Sequence, residues 1–205
     1  MAIGEVTGFW LVSLLLVMAP GADWAYAITA GLRDRSVVPA VVGLLTGYVA
    51  LTAVVAAGVA ALVARWPLLL TGLTVLGGFY LLWLGVTTVA RPSAPTAAVD
   101  GDAQPWMRRA AKGAGISGLN PKGLLLFLAL LPQFTTRGAA WPLAVQIMLL
   151  GLVHTANCGV VYTSVGTAAR WVLRARPAIV TAVTRFSGAA MIVVGILLVA
   201  ERFLA

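Results

Sequence analysis

Between residues 6 and 200 the chain is a succession of apolar stretches, each near the roughly 20 residues a helix needs to cross a bilayer. Residues 36–64, 66–90 and 141–169 carry no Asp, Glu, Lys or Arg. Residues 6–32 hold only Asp23, residues 113–134 only Lys122, and residues 178–200 only Arg185, near their start. In lipid, backbone groups must satisfy one another, and for runs of this length only the helix does so within the segment. Composition agrees: 61% of residues are hydrophobic and 10% charged, against about 25% charged in a soluble domain. The expected fold is an all-α integral membrane protein with six transmembrane helices.

Two of these six runs are broken. Gly118-Leu119-Asn120-Pro121-Lys122-Gly123 interrupts the fourth, and Pro20-Gly21-Ala22-Asp23 interrupts the first. Proline removes a backbone donor and clashes with the carbonyl four residues back, and the freed groups survive only against protein or a water-filled cavity. A broken span in each half of the chain is the pattern of a secondary transporter's midplane site. The long connection falls between the halves. Its Pro92-to-Asp102 part reads as a linker, and Trp106 to Lys112 as an interfacial segment. The expected division is a three-helix repeat over 1–92, a cytoplasmic linker with its interfacial segment over 93–112, and a second three-helix repeat over 113–205.

Charge sets the expected orientation. The net charge of +8 does not imply nucleic acid, because the basic residues sit at the ends of apolar runs, where lipid headgroups lie. Arg33, Arg35, Arg91, Arg108, Arg109, Lys112, Arg170, Arg174, Arg176 and Arg185 follow the odd-numbered spans, against Arg65, Arg137 and Arg202 on the other side. The positive-inside rule puts the first group in the cytoplasm and both termini outside. Three spans per half then makes the halves inverted repeats. Ala25-Tyr26-Ala27 fits a signal-peptidase pattern, but Glu5 and no basic residue precede the apolar run, which argues against cleavage. Trp66-Pro67 and Trp141-Pro142 place proline in a first helical turn beside an interfacial tryptophan. Gly43 and Gly47 form a GxxxG pair suited to close helix approach. The single cysteine, Cys158, excludes an internal disulfide.

The two broken motifs resemble those of the LysE/RhtB family of amino-acid exporters. That family pairs a Pro-Gly-Pro-Asp/Asn element in the first span with Asn-Pro-Lys in the fourth. Here they stand as Pro20-Gly21-Ala22-Asp23, with Ala22 for the second proline, and as Asn120-Pro121-Lys122. Phe127 and Leu131-Pro132-Gln133-Phe134 resemble the family's exit from that span. The resemblance implies export of amino acids or close derivatives across the bacterial inner membrane, driven by the proton motive force, with no cofactor and no resident metal. Oligomeric state is left open, a homo-oligomer included.

The residues themselves suggest roles. Asp23 is the acid deepest in a span, where a charge is costly and therefore functional by default. It is a candidate for binding a substrate ammonium, carrying the coupling proton, or alternating between them. The alternative is a structural helix cap. Asn120 and Pro121 read as N-cap and first residue of a half-helix, whose exposed donors suit a carboxylate. Lys122 adds a full charge there. Pro20 and Gly21 shape the first break. Gln146, Asn157 and Ser164 share a stripe of the fifth span with His154 somewhat off it, and either line the pathway or bond between helices. Tyr48 and Tyr80 are further lining candidates. Since the spans hold no second carboxylate, charge balance favours a small neutral substrate of the threonine or homoserine type over a basic amino acid. A metal cation has poor ligands in one His, one Cys and one Asp.

One enzyme reading competes. Gly115-Ile116-Ser117-Gly118 matches the GxSG element of rhomboid intramembrane proteases, with His154 as the partner of a Ser117 nucleophile. The histidine lies in the fifth span rather than the sixth, no GxxxG-like spacing follows it, and the amino terminus is expected outside. The topology is directly testable. Tags at either terminus should be reached from outside intact cells, while a cysteine introduced at Ala97 should be labelled only after permeabilisation. An inward amino terminus would remove the inverted-repeat reading.

Overall fold

A computed structural model describes residues 3–34, 36–65, 67–90, 105–136, 138–175 and 177–204. Trp66 and most of the linker lie outside them. Eight α-helices follow in order: α1 (Ile3–Val17), α2 (Ala22–Arg33), α3 (Val38–Arg65), α4 (Pro67–Ala90), α5 (Trp106–Gly118), α6 (Pro121–Leu130), α7 (Leu143–Ala175) and α8 (Pro177–Leu204). A 3₁₀ turn, Leu131–Phe134, extends α6. The described residues contain no strand.

The protein is an all-helical membrane protein. Val38–Gly58 of α3 and Leu143–Ala169 of α7 are each long and apolar enough to cross a bilayer, and α1 with α2 passes as one span bent by 62°. The bend falls where the Pro-Gly break predicts it. Gly21 is extended at φ −165, ψ −162, and the Trp24 indole donates to the Val17 carbonyl at 2.8 Å, which satisfies an acceptor that the end of α1 leaves over. The second break is equally local. α5 stops at Gly118, and the Asn120 carbonyl accepts the Leu124 N–H at 2.9 Å to start α6. Helix α5 begins at Trp106 rather than near residue 113, so the expected interfacial residues from Trp106 to Lys112 are helical and continuous with the residues up to Gly118. Pro67 opens α4 as expected, whereas Pro142 precedes α7 and caps it through its carbonyl, which accepts from Val145 and Gln146.

Glycines set the packing. A methyl group added at Gly43 would stand 2.1 Å from the Ala110 carbonyl oxygen, and one at Gly47 2.1 Å from Ser117 Oγ. The GxxxG pair therefore seats α3 on α5, as its spacing suggested. Antiparallel pairs form in the same way: a methyl at Gly85 of α4 would meet the Gly188 carbonyl of α8 at 2.7 Å, and one at Gly195 the Gly78 carbonyl at 2.8 Å. Phe9, Leu44, Phe127, Leu130 and Ile147 fill the buried centre where α1, α3, α6 and α7 converge.

Gly43→Ala should lower the melting temperature of the purified protein, with a cost of about 1–3 kcal/mol typical of overpacking against backbone. Gly58→Ala is the control, since a methyl there meets nothing within 4 Å. Equal melting of the two variants would show that α3 and α5 do not approach this closely.

Candidate functional site

Asp23 lies in the first turn of α2 and is 4% exposed. Its Oδ2 accepts from three directions: the Tyr48 hydroxyl of α3 at 2.8 Å, the Asn120 amide Nδ2 at 3.0 Å and the Tyr162 hydroxyl of α7 at 3.3 Å. The Asn120 contact joins the two breaks, 97 residues apart in sequence. The positive end of α2 adds a favourable field for a carboxylate. Asp23 does not act as the cap of α2, because the N-cap position is Gly21 and no side chain caps it.

A second polar cluster adjoins the first. His154 Nδ1 and Ser13 Oγ of α1 share a 2.9 Å hydrogen bond. The Asn157 amide donates to Ser13 Oγ at 3.1 Å and to the Trp10 carbonyl at 3.2 Å. His154 Nε2 lies 3.4 Å from Cys158 Sγ. Tyr48 bridges the clusters. Its hydroxyl is on Asp23 while its ring stands edge-on to His154 at 4.9 Å between centroids. Phe127 closes the third side, stacked with Tyr48 and edge-on to His154.

Several sequence candidates come together here, and others do not. Asp23, Asn120, His154 and Asn157 all face this region. Pro20 and Gly21 form the break beside it, and a methyl at Gly21 would meet nothing within 4 Å. The backbone of Pro121 and Lys122 opens α6, while their side chains lie outside the described residues. Gln146 is instead a loop staple: its amide binds Thr136 through both backbone groups and the Trp141 carbonyl. Ser164 is exposed and bonded to its own helix at Val160. The stripe through these residues fails because α7 changes neighbours along its 33 residues. The Tyr80 ring lies tilted against Trp83 of its own helix, 5.7 Å between centroids. Tyr162 and Ser13 were missed. Tyr162 had a signal, since His154, Cys158 and Tyr162 follow one another at i, i+4 and i+8 on one face.

The protease geometry is absent. Ser117 is fully buried, and its hydroxyl is held by the Leu44 carbonyl at 2.7 Å and the Gly113 carbonyl at 3.2 Å. His154 makes its Nδ1 bond to Ser13 rather than to Ser117.

The family model for the LysE type translocator matches residues 14–202. The chain belongs to the LysE type translocator family. Its members are transporters, not enzymes, so the serine-protease reading is withdrawn. The chain is 28% identical over 201 residues to an uncharacterized membrane protein of Vibrio cholerae serotype O1, covering 95% of this chain and 96% of that one. It is 27% identical over 200 residues to the homoserine/homoserine lactone efflux protein of Salmonella typhimurium, covering 95% of each. It is 28% identical over 138 residues to the leucine efflux protein of Enterobacter sp. strain 638, covering 63% of this chain and 64% of that one. No solved structure matches.

Ser117→Ala removes a helix–helix hydrogen bond worth about 1 kcal/mol and should leave transport within a few-fold of wild type. Complete loss of activity in well-folded Ser117→Ala protein would return Ser117 to the reacting centre.

Proposed function

We propose that this LysE-family protein exports a small neutral amino acid or derivative, of the threonine or homoserine kind, by proton antiport with alternating access. The observation that carries the reading is the Asp23–Asn120 bond between the two helix breaks. It gathers a buried carboxylate and the start of α6 in one place, and an α-amino acid needs both. The substrate ammonium replaces the donors on Asp23, and its carboxylate takes the free N–H groups at the start of α6 beside Lys122. His154 and Asn157 face the substrate side chain. The names of two relatives, a homoserine/homoserine lactone efflux protein and a leucine efflux protein, support a neutral substrate. So does charge balance, since a cationic side chain would require a second buried carboxylate.

Proton coupling falls to Asp23. An ionised carboxylate accepts from Tyr48, Tyr162 and Asn120 together. A proton on Oδ2 removes the charge and leaves that oxygen with one donor and less acceptor capacity. The tyrosine hydroxyls can rotate to accept, whereas the Asn120 NH₂ can only donate, and its bond to Asp23 loses its charge-assisted strength. Protonation thus loosens the link between the breaks, the movement that alternating access requires. Support for the two inverted three-helix repeats, 1–92 and 113–205, comes from the seven-residue spacing shared by Gly78 with Gly85 and Gly188 with Gly195. Their reciprocal antiparallel contacts match a two-fold axis in the membrane plane. The proposed setting is the bacterial inner membrane with both termini outside.

The test uses proteoliposomes loaded with labelled homoserine, threonine, leucine or lysine, with efflux followed with and without a proton gradient. Efflux of the neutral substrates should be gradient-dependent, and lysine should compete poorly. Asp23→Asn should insert normally, since it removes an intramembrane charge costing about 2.5–3.5 kcal/mol, and should lose gradient-driven efflux by more than about tenfold, one pKa-unit equivalent of coupling energy. Tighter competition by lysine than by homoserine overturns the substrate class. Wild-type rates with unchanged pH dependence in Asp23→Asn remove it from coupling.

A further inference from the structure

The two broken spans run antiparallel and touch at three levels. Asp23 meets Asn120 in the middle. Eleven residues later on α2's side and eleven earlier on α5's, Asp34 meets Arg109 at 2.6 Å, which is about 16 Å away along each helix at 1.5 Å per residue. In the other direction, fourteen residues from Asp23 and fourteen from Asn120, Phe9 and Phe134 pack edge-to-face at 5.5 Å, with Thr136 hydroxyl bonded to Glu5 just beyond. The broken helices are therefore held together on both sides of the Asp23–Asn120 contact, by different chemistry at each.

The Arg109 end is built from one side chain. Its Nη2 binds the Asp34 carboxylate and also donates to the Ser36 carbonyl at 2.5 Å. The Arg109 carbonyl in turn accepts from the Tyr26 hydroxyl of α2 at 2.6 Å, and the Lys112 ammonium stands 5.8 Å over the Tyr26 ring. The end of α2, its connection to α3 and the first turn of α5 are thereby fastened together. Both charged side chains remain about one-seventh exposed, at 14% and 15%, so water reaches the pair and it is separable at modest cost. The aromatic end offers no such exchange. Arg109 thus fastens α5 to the end of α2, where its place in the sequence suggested a headgroup contact.

We propose that the Arg109–Asp34–Ser36 contact is the releasable latch of one gate, opening the path from the α2–α3 side to Asp23 and Asn120, with Phe9–Phe134 closing the opposite side. This rests on the transporter reading above, in which the α2–α3 side is cytoplasmic. When the pair separates, α5 swings from α2 while the glycine contacts keep it on α3, which makes the break at Leu119-Asn120 the hinge.

Cys158 is the natural reporter, being the chain's single cysteine, fully buried and beside His154. Full-length protein in inside-out vesicles is treated with a membrane-impermeant methanethiosulfonate, and the rate of Cys158 modification is measured. Asp34→Asn and Arg109→Gln should each raise that rate about tenfold, and the charge-swapped pair Asp34→Arg with Arg109→Asp should bring it back towards wild type. Right-side-out vesicles should show no increase. Unchanged labelling in both single variants overturns the latch, as does an equal increase from both sides, which signals general loosening. If Arg109→Gln fails to reach the membrane, Asp34→Asn, which preserves side-chain shape, decides alone. Labelling does not require transport. A latch-dependent rate without amino-acid efflux therefore upholds the gate and rejects the export reading, whereas efflux with latch-independent labelling does the reverse.

Discussion

A carboxylate in the middle of a membrane protein must be surrounded by donors, and most of this structure is arranged to supply them to Asp23. One oxygen receives hydroxyls from α3 and α7 and an amide from the second helix break. None of the three comes from α2 itself, so this shell of donors exists when α2, α3, α7 and the start of α6 are assembled. The same dependence explains why the breaks occur together. A continuous helix through α5 and α6 would place Asn120 within a helical turn, and an unbroken first span would deny Asp23 the positive end of a helix.

Bringing those elements within hydrogen-bond range requires backbones closer than ordinary side chains permit. Without a hydrophobic drive between helices in lipid, small residues at the contact supply that approach. Gly43 and Gly47 seat α3 on α5, and Gly31 with Gly166 draws α2 against α7 so tightly that a methyl at Gly31 would overlap the Gly166 carbonyl. Tyr48 and Tyr162 reach Asp23 because their helices are held this near. Tyr48 then carries its ring to His154, so the aspartate hub and the Ser13–His154–Asn157 group form a continuous buried polar core. In such a core a half-satisfied network costs more than an apolar one, which places a premium on every contact remaining in register.

The helical class and the two breaks were legible because lipid leaves few alternatives. An uncharged run of sufficient length becomes a helix, and Pro20 or Pro121 inside one interrupts it wherever the helix packs. Asp23 and Asn120 could be singled out for the same reason: polar groups in hydrocarbon must be accounted for. The stripe through Gln146 and Ser164 misled, since periodicity tells which residues share a face but not what that face meets at each level. Gln146 meets the 136–141 loop, while Ser164 is exposed and bonds its own helix at Val160. Ser117 offered a competing motif because GxSG is also what a helix presents where another backbone must pass close by, and its hydroxyl is held by the Leu44 carbonyl.

The sequence by itself determined the membrane environment, the helical class, the two interruptions and the polar residue types available beside them. Each follows from local chemistry: apolar length, proline's missing donor and the cost of an isolated charge. Only the tertiary structure decided that Asp23 and Asn120 meet, that Tyr48 and Tyr162 complete the carboxylate's shell, and that Arg109 fastens α5 to Asp34 instead of serving lipid headgroups. Those pairings join residues 25 to 139 positions apart. Nothing local to either partner encodes them, because they arise from which helices lie side by side and in what register.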